Sequence, residues 1–449
     1  MRGAVQRASR YLPRTASFPP KRGASSRFGR LPEVATSPRR PLNLRIIYVT
    51  SSLPHGKKEA FIIPEIRELM RRGHDILIVP TYPRGKVLHG DVKPLMSQVV
   101  SKPLLSADIA KAAAKRFLEN PTGASEVLSS LFRSRSAGIL FRNLAVYPKG
   151  LWLADLAHHW RADHIHAHWS TVPATMALVA GEVSGLPWSI TAHRFDIAQD
   201  NLLDMKARKA CFIRAINQRG AQEIADRVSS AAPLPFVIHM GVQVPGVKHR
   251  ELPINNGRVL RLVVPANLLE VKGHTYLLQA VRILTDRGVD VHLDLAGDGP
   301  LREGLMHETH ELGLRGRVAF LGLVSHEQLL KRMKAGSWDI LVLPSIVTNS
   351  GEKEGIPVAL IEAMSCRVPV VSTVSGGIPE LFEGVDEALL VPPKDPAALA
   401  EAIERVGSDR ALRERLIESG SKRVGDSFAV EQVAEELVKR FEMFGARKR

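Results

Sequence analysis

Two glutamates eight residues apart, Glu354 and Glu362, flank the start of one predicted helix and could bind a sugar and a ribose. The sequence predicts this helix over residues 357–366, with Pro357 first, where its missing N–H leaves no hydrogen bond unmade. The free N–H groups at the helix start would face an anion such as a diphosphate. Glu362 would lie roughly 12 Å further along, at about 1.5 Å per residue. The pattern is equally compatible with a buried helix that carries two capping or surface acids.

Other short motifs stand around this pair in a fixed order. They are Lys272-Gly273, Gly297-Asp-Gly-Pro300, Phe320-Leu-Gly322 and Leu343-Pro-Ser345 upstream, and Gly376-Gly-Ile-Pro-Glu380 downstream. With this order and spacing, the chain resembles the retaining GT-B glycosyltransferases of family four, also called group 1, from about residue 43 to 430. Within that family it looks most like bacterial enzymes of exopolysaccharide and capsule assembly. The resemblance implies an α/β protein with the GT-B fold, in which two doubly wound, Rossmann-like domains face a cleft.

The resemblance also implies a reaction. A hexosyl unit would pass from a nucleotide-sugar, such as a UDP- or GDP-sugar, to a glycan or lipid-linked acceptor with retention of configuration, in polysaccharide biosynthesis. No cofactor and no metal ion would be needed, because positive side chains and a helix N-terminus can stabilise a leaving diphosphate.

Roles for individual residues follow from the same resemblance. Glu354, together with the backbone N–H groups of Gly355 and Ile356, would bind the donor sugar. Glu362 would bind the ribose. Lys272 would bind the diphosphate, where a fixed cation stabilises the negative charge that develops as the glycosidic bond breaks.

Two further positions complete the predicted site. His193 follows a predicted strand and matches a family histidine that contacts the donor sugar near its reacting carbon, so His193 and Glu354 are the predicted catalytic residues. Asn267 stands where the family carries an arginine that binds the diphosphate, and asparagine donates a hydrogen bond but brings no charge. This departure supports an alternative, a non-catalytic protein that binds a sugar-nucleotide or a polysaccharide. A GT-B sugar-nucleotide epimerase is the other alternative.

Three histidines, His164, His166 and His168, alternate along one predicted strand, so their side chains share a face. Such a row could bind a metal ion, but no neighbouring carboxylate or cysteine completes a convincing ligand set. The family has a His-x-His pattern here without needing a metal, and we therefore predict none. His168 or Trp169 is instead expected near the acceptor entrance.

The net charge of +16 is unevenly distributed. Residues 1–45 hold eleven Lys or Arg and one acid, Glu33, without the apolar stretch of a secretory signal, although a transit peptide would share this composition. We predict that residues 1–42 are a disordered basic arm. The remaining positive charge could bring the protein to anionic lipid. Aromatic residues are 5% of the chain and no recognition motif is present, which disfavours nucleic-acid binding.

The rest of the chain is long enough for two domains. We predict an N-terminal acceptor-binding domain over 43–243, a linker over 244–257, a C-terminal nucleotide-sugar-binding domain over 258–427 and a helix over 428–449 that crosses back to the first domain. Two cysteines in apolar surroundings and the lack of a membrane-spanning apolar run predict a cytoplasmic protein, with peripheral contact to the inner face of a membrane as an option.

Overall fold

The computed structural model describes residues 43–55, 59–85, 90–104, 106–245, 258–385 and 389–445. The predicted basic arm, 1–42, and nearly all of the predicted linker, 244–257, lie outside the described residues. Within the described residues, the chain forms two parallel sheets of six strands each. This arrangement confirms the predicted α/β class with two Rossmann-like domains.

The N-terminal sheet has the strand order β2-β1-β3-β4-β5-β6 and is parallel throughout. Its strands are β1 Arg45–Thr50, β2 Asp75–Pro80, β3 His164–His168, β4 Trp188–Ala192, β5 Phe212–Ala215 and β6 Phe236–Val237. Four strands, β1, β3, β4 and β5, are buried almost throughout, as expected for a parallel sheet covered by helices on both faces.

Helices connect these strands. They are α1 Ile63–Arg71, α2 Ala107–Glu119, α3 Pro121–Leu131, α4 Ala137–His159, α5 Val172–Ser184, α6 Arg194–Gln199, α7 Leu203–Lys209 and α8 Gln218–Ala225. The long connection between β2 and β3 contains α2, α3 and α4. The hydroxyls of Ser106 and Ser136 cap α2 and α4 by accepting backbone N–H groups of the first turn, which explains where these helices begin.

The C-terminal sheet has the order β12-β11-β10-β7-β8-β9. Its strands are β7 Leu260–Val264, β8 Val291–Leu295, β9 Val318–Phe320, β10 Ile340–Leu343, β11 Val370–Thr373 and β12 Leu390–Val391. Its helices are α9 His274–Asp286, α10 Arg302–Glu311, α11 His326–Lys334, α12 Val358–Ser365, α13 Ile378–Leu381, α14 Pro396–Ser408 and α15 Arg410–Ser427.

The last helix, α16 Val430–Gly445, packs on the N-terminal domain. Val433, Leu437 and Phe441 are buried in one apolar cluster with residues of α1 and β1. The ring of Phe441 lies 4.9 Å from that of His164 in β3, measured between ring centroids. None of the helices in the described part of the chain combines the length and the apolar character needed to cross a membrane.

Candidate functional site

One half of the candidate site lies at the carboxyl end of the C-terminal sheet, where ligands of doubly wound folds bind. Glu354 lies between β10 and α12, and Lys272 ends a short 3-10 turn after β7. Two glycines let these segments approach each other closely. A Cβ on Gly273 (φ 69°) would lie 2.0 Å from the carbonyl oxygen of Pro344, and one on Gly376 (φ 59°) 2.0 Å from that of Glu354. The motif glycines are therefore required for this backbone packing.

Lys272 and Glu354 contact each other. The Nζ atom of Lys272 lies 2.6 Å from Oε1 of Glu354, and the two side chains are 18% and 14% exposed. Because the pair is largely sheltered from water, its attraction is stronger than that of a typical surface ion pair. The residue predicted to bind the diphosphate and the residue predicted to bind the sugar therefore lie together, and a bound group would compete with this ion pair for either side chain.

Glu362 lies in the second turn of α12. The helix begins at Val358, whereas the prediction placed its start at Pro357, which was one residue early. Pro357 has φ −69° and ψ 122°, an extended conformation, so it is the N-cap residue. Oε1 of Glu362 lies 2.5 Å from Nε2 of His326 at the start of α11. His326 could not be predicted as a partner from the sequence, because only the fold brings α11 next to α12.

Asn267 is exposed in the loop after β7, five residues before Lys272. The N–H of the next residue, Leu268, donates to the carbonyl oxygen of Asp298 at 3.1 Å, so the Gly297–Pro300 motif lies beside this loop. The guanidinium of Arg302 is 3.9 Å from the Asp298 carboxylate. Arg302, the first residue of α10, therefore places a positive charge close to the loop that holds Asn267. The donor-binding role of Asn267 stays a prediction.

The other half of the site lies at the carboxyl end of the N-terminal sheet. His193 directly follows β4 and is the N-cap residue of α6, and its ring nitrogen Nε2 lies 2.8 Å from Nε2 of His168, the last residue of β3. Burial lowers the pKa of His193 to about 3, so the ring is neutral near pH 7. One of these two nitrogens therefore carries a proton and donates it to the other.

Asp196 ties the ends of β3 and β4 together. Its carboxylate accepts the backbone N–H of Ser170 at 2.5 Å and that of His193 at 2.6 Å. Burial raises the pKa of Asp196 to about 6, although these hydrogen bonds act in the opposite direction. The position of His193 is therefore fixed by a buried carboxylate in the first turn of α6.

Trp169, the residue after β3, has the unusual backbone angle φ 113°. A non-glycine residue held at such an angle costs on the order of 1–3 kcal/mol, and such strain tends to occur at functional sites. The indole N–H of Trp169 donates to Oε1 of Glu59 at 2.6 Å. The ring centroid of Trp169 is 4.4 Å from that of His193, with 32° between the ring planes.

Glu59 organises the loop that follows β1. Its carboxylate accepts the backbone N–H groups of Ser51 at 2.9 Å, Ser52 at 2.5 Å and Leu53 at 2.7 Å. Glu59 was not among the predicted site residues. A buried acid can hold a loop in this way only if it accepts several N–H groups, and spacing alone does not reveal such contacts.

Among the described residues, one group of side chains has the spacing of metal ligands, Glu65, His166 and His168. Its members already have hydrogen-bond partners. Glu65 forms a fully buried ion pair with Arg214 at 2.5 Å, and both ring nitrogens of His166 lie within 2.9 Å of hydroxyl groups. This group is therefore a hydrogen-bonded network of the N-terminal core, and the absence of a metal ion stays a prediction.

Side chains from both domains meet across the cleft. Arg194 of α6, next to His193, lies 3.4 Å from Glu352, two residues before Glu354. Glu380, the last residue of the Gly376–Glu380 motif, accepts the backbone N–H of Gln218 at 2.8 Å. The two predicted half-sites therefore face each other.

Residues 248–423 match the family model described as glycosyl transferases group 1. Over 203 residues the chain is 34% identical to a Salmonella typhimurium protein named as a colanic acid biosynthesis glycosyltransferase, WcaL; this covers 45% of this chain and 49% of that protein. The aligned part thus spans about half of that relative's length. A 2-deoxystreptamine glucosyltransferase of Streptomyces kanamyceticus is 28% identical over 339 residues, 67% of this chain and 83% of that protein.

Solved structures show the same fold. HepE of Anabaena, determined in complex with UDP and glucose, superposes with a TM-score of 0.62 at 19% identity, over 89% of this chain and 100% of that one. A sucrose-phosphate synthase from Thermosynechococcus elongatus gives a TM-score of 0.62 at 17% identity, over 90% and 99% of the two chains. Together with the family match, these likenesses confirm the resemblance to the group 1 glycosyltransferases and the GT-B fold.

Proposed function

We propose that this chain, whose residues 248–423 match the family model of the group 1 glycosyltransferases, transfers a hexosyl unit from a nucleotide-sugar to a glycan or lipid-linked acceptor. Transfer would retain the configuration and serve polysaccharide biosynthesis in the cytoplasm. The observation that carries the proposal is the contact between Lys272 and Glu354, 2.6 Å apart at the cleft. This contact places an ammonium group, which can bind a diphosphate, next to a carboxylate, which can bind sugar hydroxyls.

On the donor side, the diphosphate would draw Lys272 away from Glu354. The freed carboxylate would then accept hydrogen bonds from the sugar hydroxyls, while Gly355 and Ile356 offer backbone N–H groups. Negative charge grows on the leaving diphosphate as the bond breaks, and a fixed cation lowers the energy of that state. Glu362 would hold the ribose after release from His326. HepE, solved with UDP, supports a UDP-sugar as the first donor to test, with a GDP-sugar as the second.

On the acceptor side, the N-terminal domain would hold the attacking hydroxyl near His193. The neutral ring of His193 can donate or accept a hydrogen bond at the donor sugar once its hydrogen bond with His168 is broken. Closure of the two domains would exclude water, which otherwise competes with the acceptor for the glycosyl group. The contact between Arg194 and Glu352 supports closure at this point.

Calorimetric titration with UDP-, GDP- and ADP-sugars tests the donor assignment. The wild type should bind one donor, and Lys272→Ala should weaken that binding by about 10- to 150-fold, since a hydrogen bond to a charged group contributes about 1.5–3 kcal/mol. Lys422→Ala is the matched control, because this lysine also forms an ion pair but lies on exposed α15. Unchanged binding in Lys272→Ala would exclude the phosphate role.

Turnover separates the alternatives. A glycosyltransferase releases nucleoside diphosphate faster when an acceptor is added, whereas an epimerase converts the nucleotide-sugar without an acceptor. A non-catalytic protein would bind the donor without turnover, and Glu354→Ala would change only its affinity. For the transferase, Glu354→Ala should reduce turnover strongly while cooperative unfolding is preserved.

The surface of the N-terminal domain supports peripheral contact with an anionic membrane. Residues 82–161 hold twelve Lys or Arg, of which Lys149 is buried, and five Asp or Glu. Phe132 and Phe141, at the ends of α3 and α4, are 61% and 74% exposed. Binding to anionic vesicles should therefore weaken as salt is raised. Binding that is insensitive to salt would contradict this electrostatic contact.

A further inference from the structure

We propose that Trp169 is an acceptor-binding residue, whose indole ring is the surface on which a sugar ring of the acceptor stacks. The inference rests on the proposed function, because a glycosyl acceptor requires a sugar-binding surface in the N-terminal domain. Trp169 follows β3 at the carboxyl edge of the sheet, beside His193 and the loop after β1. It therefore lies in the half-site where the attacking hydroxyl must be held.

The indole ring is held in place from two sides. Its N–H donates to Glu59 at 2.6 Å, and its ring lies 4.4 Å from that of His193. Phe61 adds an edge contact, with its ring centroid 6.1 Å from that of Trp169. Because the only polar atom of the ring is already hydrogen-bonded, the exposed part of the indole is apolar and rigid. Stacking of a ligand on this ring would therefore cost little side-chain conformational entropy.

Glu59 provides the anchor for this arrangement. It is 3% exposed and binds three backbone N–H groups of the loop after β1 in addition to the indole. The loop and the indole therefore share one buried carboxylate. A change at Glu59 would displace both, so we assign Glu59 as a positioning residue that acts through Trp169.

A packing role alone does not account for Trp169. The chain has five tryptophans, and Trp152, Trp188 and Trp338 are buried in the two domain cores. Trp160 and Trp169 are half-buried. Trp169 alone of the five has a positive φ, the conformation that a glycine would adopt without strain. The fold thus holds a large aromatic ring, partly in solvent, at a strained position beside His193.

The face of an indole carries the negative part of its quadrupole. The C–H groups of a pyranose ring are weakly positive and form one apolar face, so they stack on such a ring while the hydroxyls point outward to polar partners. The ligand class that fits is therefore a pyranoside at the accepting end of a glycan. The proposed function places the nucleotide base of the donor on the C-terminal sheet, so the base is not the ligand that we assign to Trp169.

Saturation-transfer NMR with a panel of methyl glycosides of glucose, galactose, mannose and fucose tests this inference on the full chain. The wild type should transfer saturation to the ring protons of at least one glycoside. Trp169→Leu should reduce that signal by about tenfold, and Trp169→Phe, which keeps an aromatic face, should retain part of it. Trp160→Leu is the matched control, since Trp160 is equally half-buried but precedes β3 at the opposite edge of the sheet.

The outcomes separate this inference from the proposed function. Nucleotide binding, measured on the same samples, should be equal in the wild type and all three variants, which also verifies the fold. Nucleotide binding without transfer to any glycoside, or an undiminished signal in Trp169→Leu, would overturn the acceptor surface alone. Absence of nucleotide binding in the wild type would refute the donor assignment. The role of Trp169 would then be tested by the glycoside experiment alone.

Glu59→Gln tests the anchor by an independent readout. In 15N-labelled protein, the indole N–H signal of Trp169 should shift in Glu59→Gln and when the bound glycoside is added to the wild type. The signal of Trp160 should stay in place in both experiments. An unmoved Trp169 signal in Glu59→Gln would show that the carboxylate does not position the ring.

Discussion

The contact between Lys272 and Glu354 leads to a prediction in which two substitutions act in opposite directions. Nζ and Oε1 lie 2.6 Å apart in a pair that is less than one-fifth exposed. In the wild type, a nucleoside diphosphate must compete with Glu354 for the lysine. Glu354→Gln removes that competitor while it keeps the shape of the side chain. The nucleoside diphosphate should therefore bind more tightly to Glu354→Gln, although turnover of the nucleotide-sugar should fall.

The magnitude follows from the strength of charge-assisted hydrogen bonds. Lys272→Ala removes such a bond to phosphate, about 1.5–3 kcal/mol, which corresponds to a loss of affinity of about 10- to 150-fold. Glu354→Gln releases this sheltered ion pair, for which about 1 kcal/mol, the upper end of the range for surface pairs, is a minimum, and should raise affinity by about fivefold or more. The assay is calorimetric titration with the nucleoside diphosphate alone, so that contacts to the sugar do not contribute.

Two controls make this test decisive. Glu362→Gln also breaks a carboxylate contact, the one with His326, but it should weaken binding because Glu362 is predicted to hold the ribose. Glu414→Gln, in an exposed pair with Arg410 on α15, should have no effect. If Glu354→Gln weakened the nucleoside diphosphate as much as Lys272→Ala does, Glu354 would be holding Lys272 in position rather than competing for it, and the reasoning would be refuted.

Three further predictions concern other parts of the molecule. Asn267→Arg restores the cation of the family and should strengthen nucleoside diphosphate binding about tenfold in the same titration, whereas unchanged affinity would show that another cation already fills this role. Burial lowers the pKa of His164 to about 3 from its unfolded value of 6.5. Between pH 3 and pH 6.5 the unfolded chain therefore binds one more proton than the folded chain, and the free energy of unfolding falls as the pH drops below 6.5. His164→Gln should remove about 1.4 kcal/mol per pH unit from that slope in urea unfolding between about pH 4 and 6, and an unchanged slope would contradict a neutral buried ring. Gly376→Ala would place a Cβ 2.0 Å from the carbonyl oxygen of Glu354 and should lower both turnover and thermal stability. Gly425→Ala meets open space on α15, so it should leave turnover unchanged and raise thermal stability slightly, because alanine favours a helix more than glycine does.

Strands of a parallel sheet are predictable where burial on both faces makes them continuous apolar runs. The predicted strand that carries His164, His166 and His168 is present in the structure as β3, His164–His168. This strand departs from a continuous apolar run, because three of its five residues are histidines. Its burial is possible because His166, for example, has hydroxyl partners on β4. The strand β12 was missed, because the two residues Leu390 and Val391 are too few to give a pattern.

The order of the motifs predicted which segments form the donor side, but it could not predict their contacts. Lys272 and Glu354 are far apart in sequence, and their approach depends on the hydrogen bond from the N–H of Ile346 to the carbonyl oxygen of Val271, at 2.9 Å. The approach depends also on the space that Gly273 leaves beside Pro344. Such contacts between loops are set by tertiary packing, for which neither periodicity nor capping patterns give a signal.

Three side chains of the predicted site share a property that the sequence does not reveal, which is that each contacts another side chain of the protein. Glu354 contacts Lys272, Glu362 contacts His326, and the His193 ring contacts His168. A largely buried polar group costs free energy unless it is hydrogen-bonded, so a stable fold must supply a partner for each. A substrate must then replace these partners, and its affinity is the difference between new and old contacts. Substitution of a partner can therefore strengthen binding, whereas substitution of the ligand residue weakens it, and this difference in sign distinguishes the two roles by experiment.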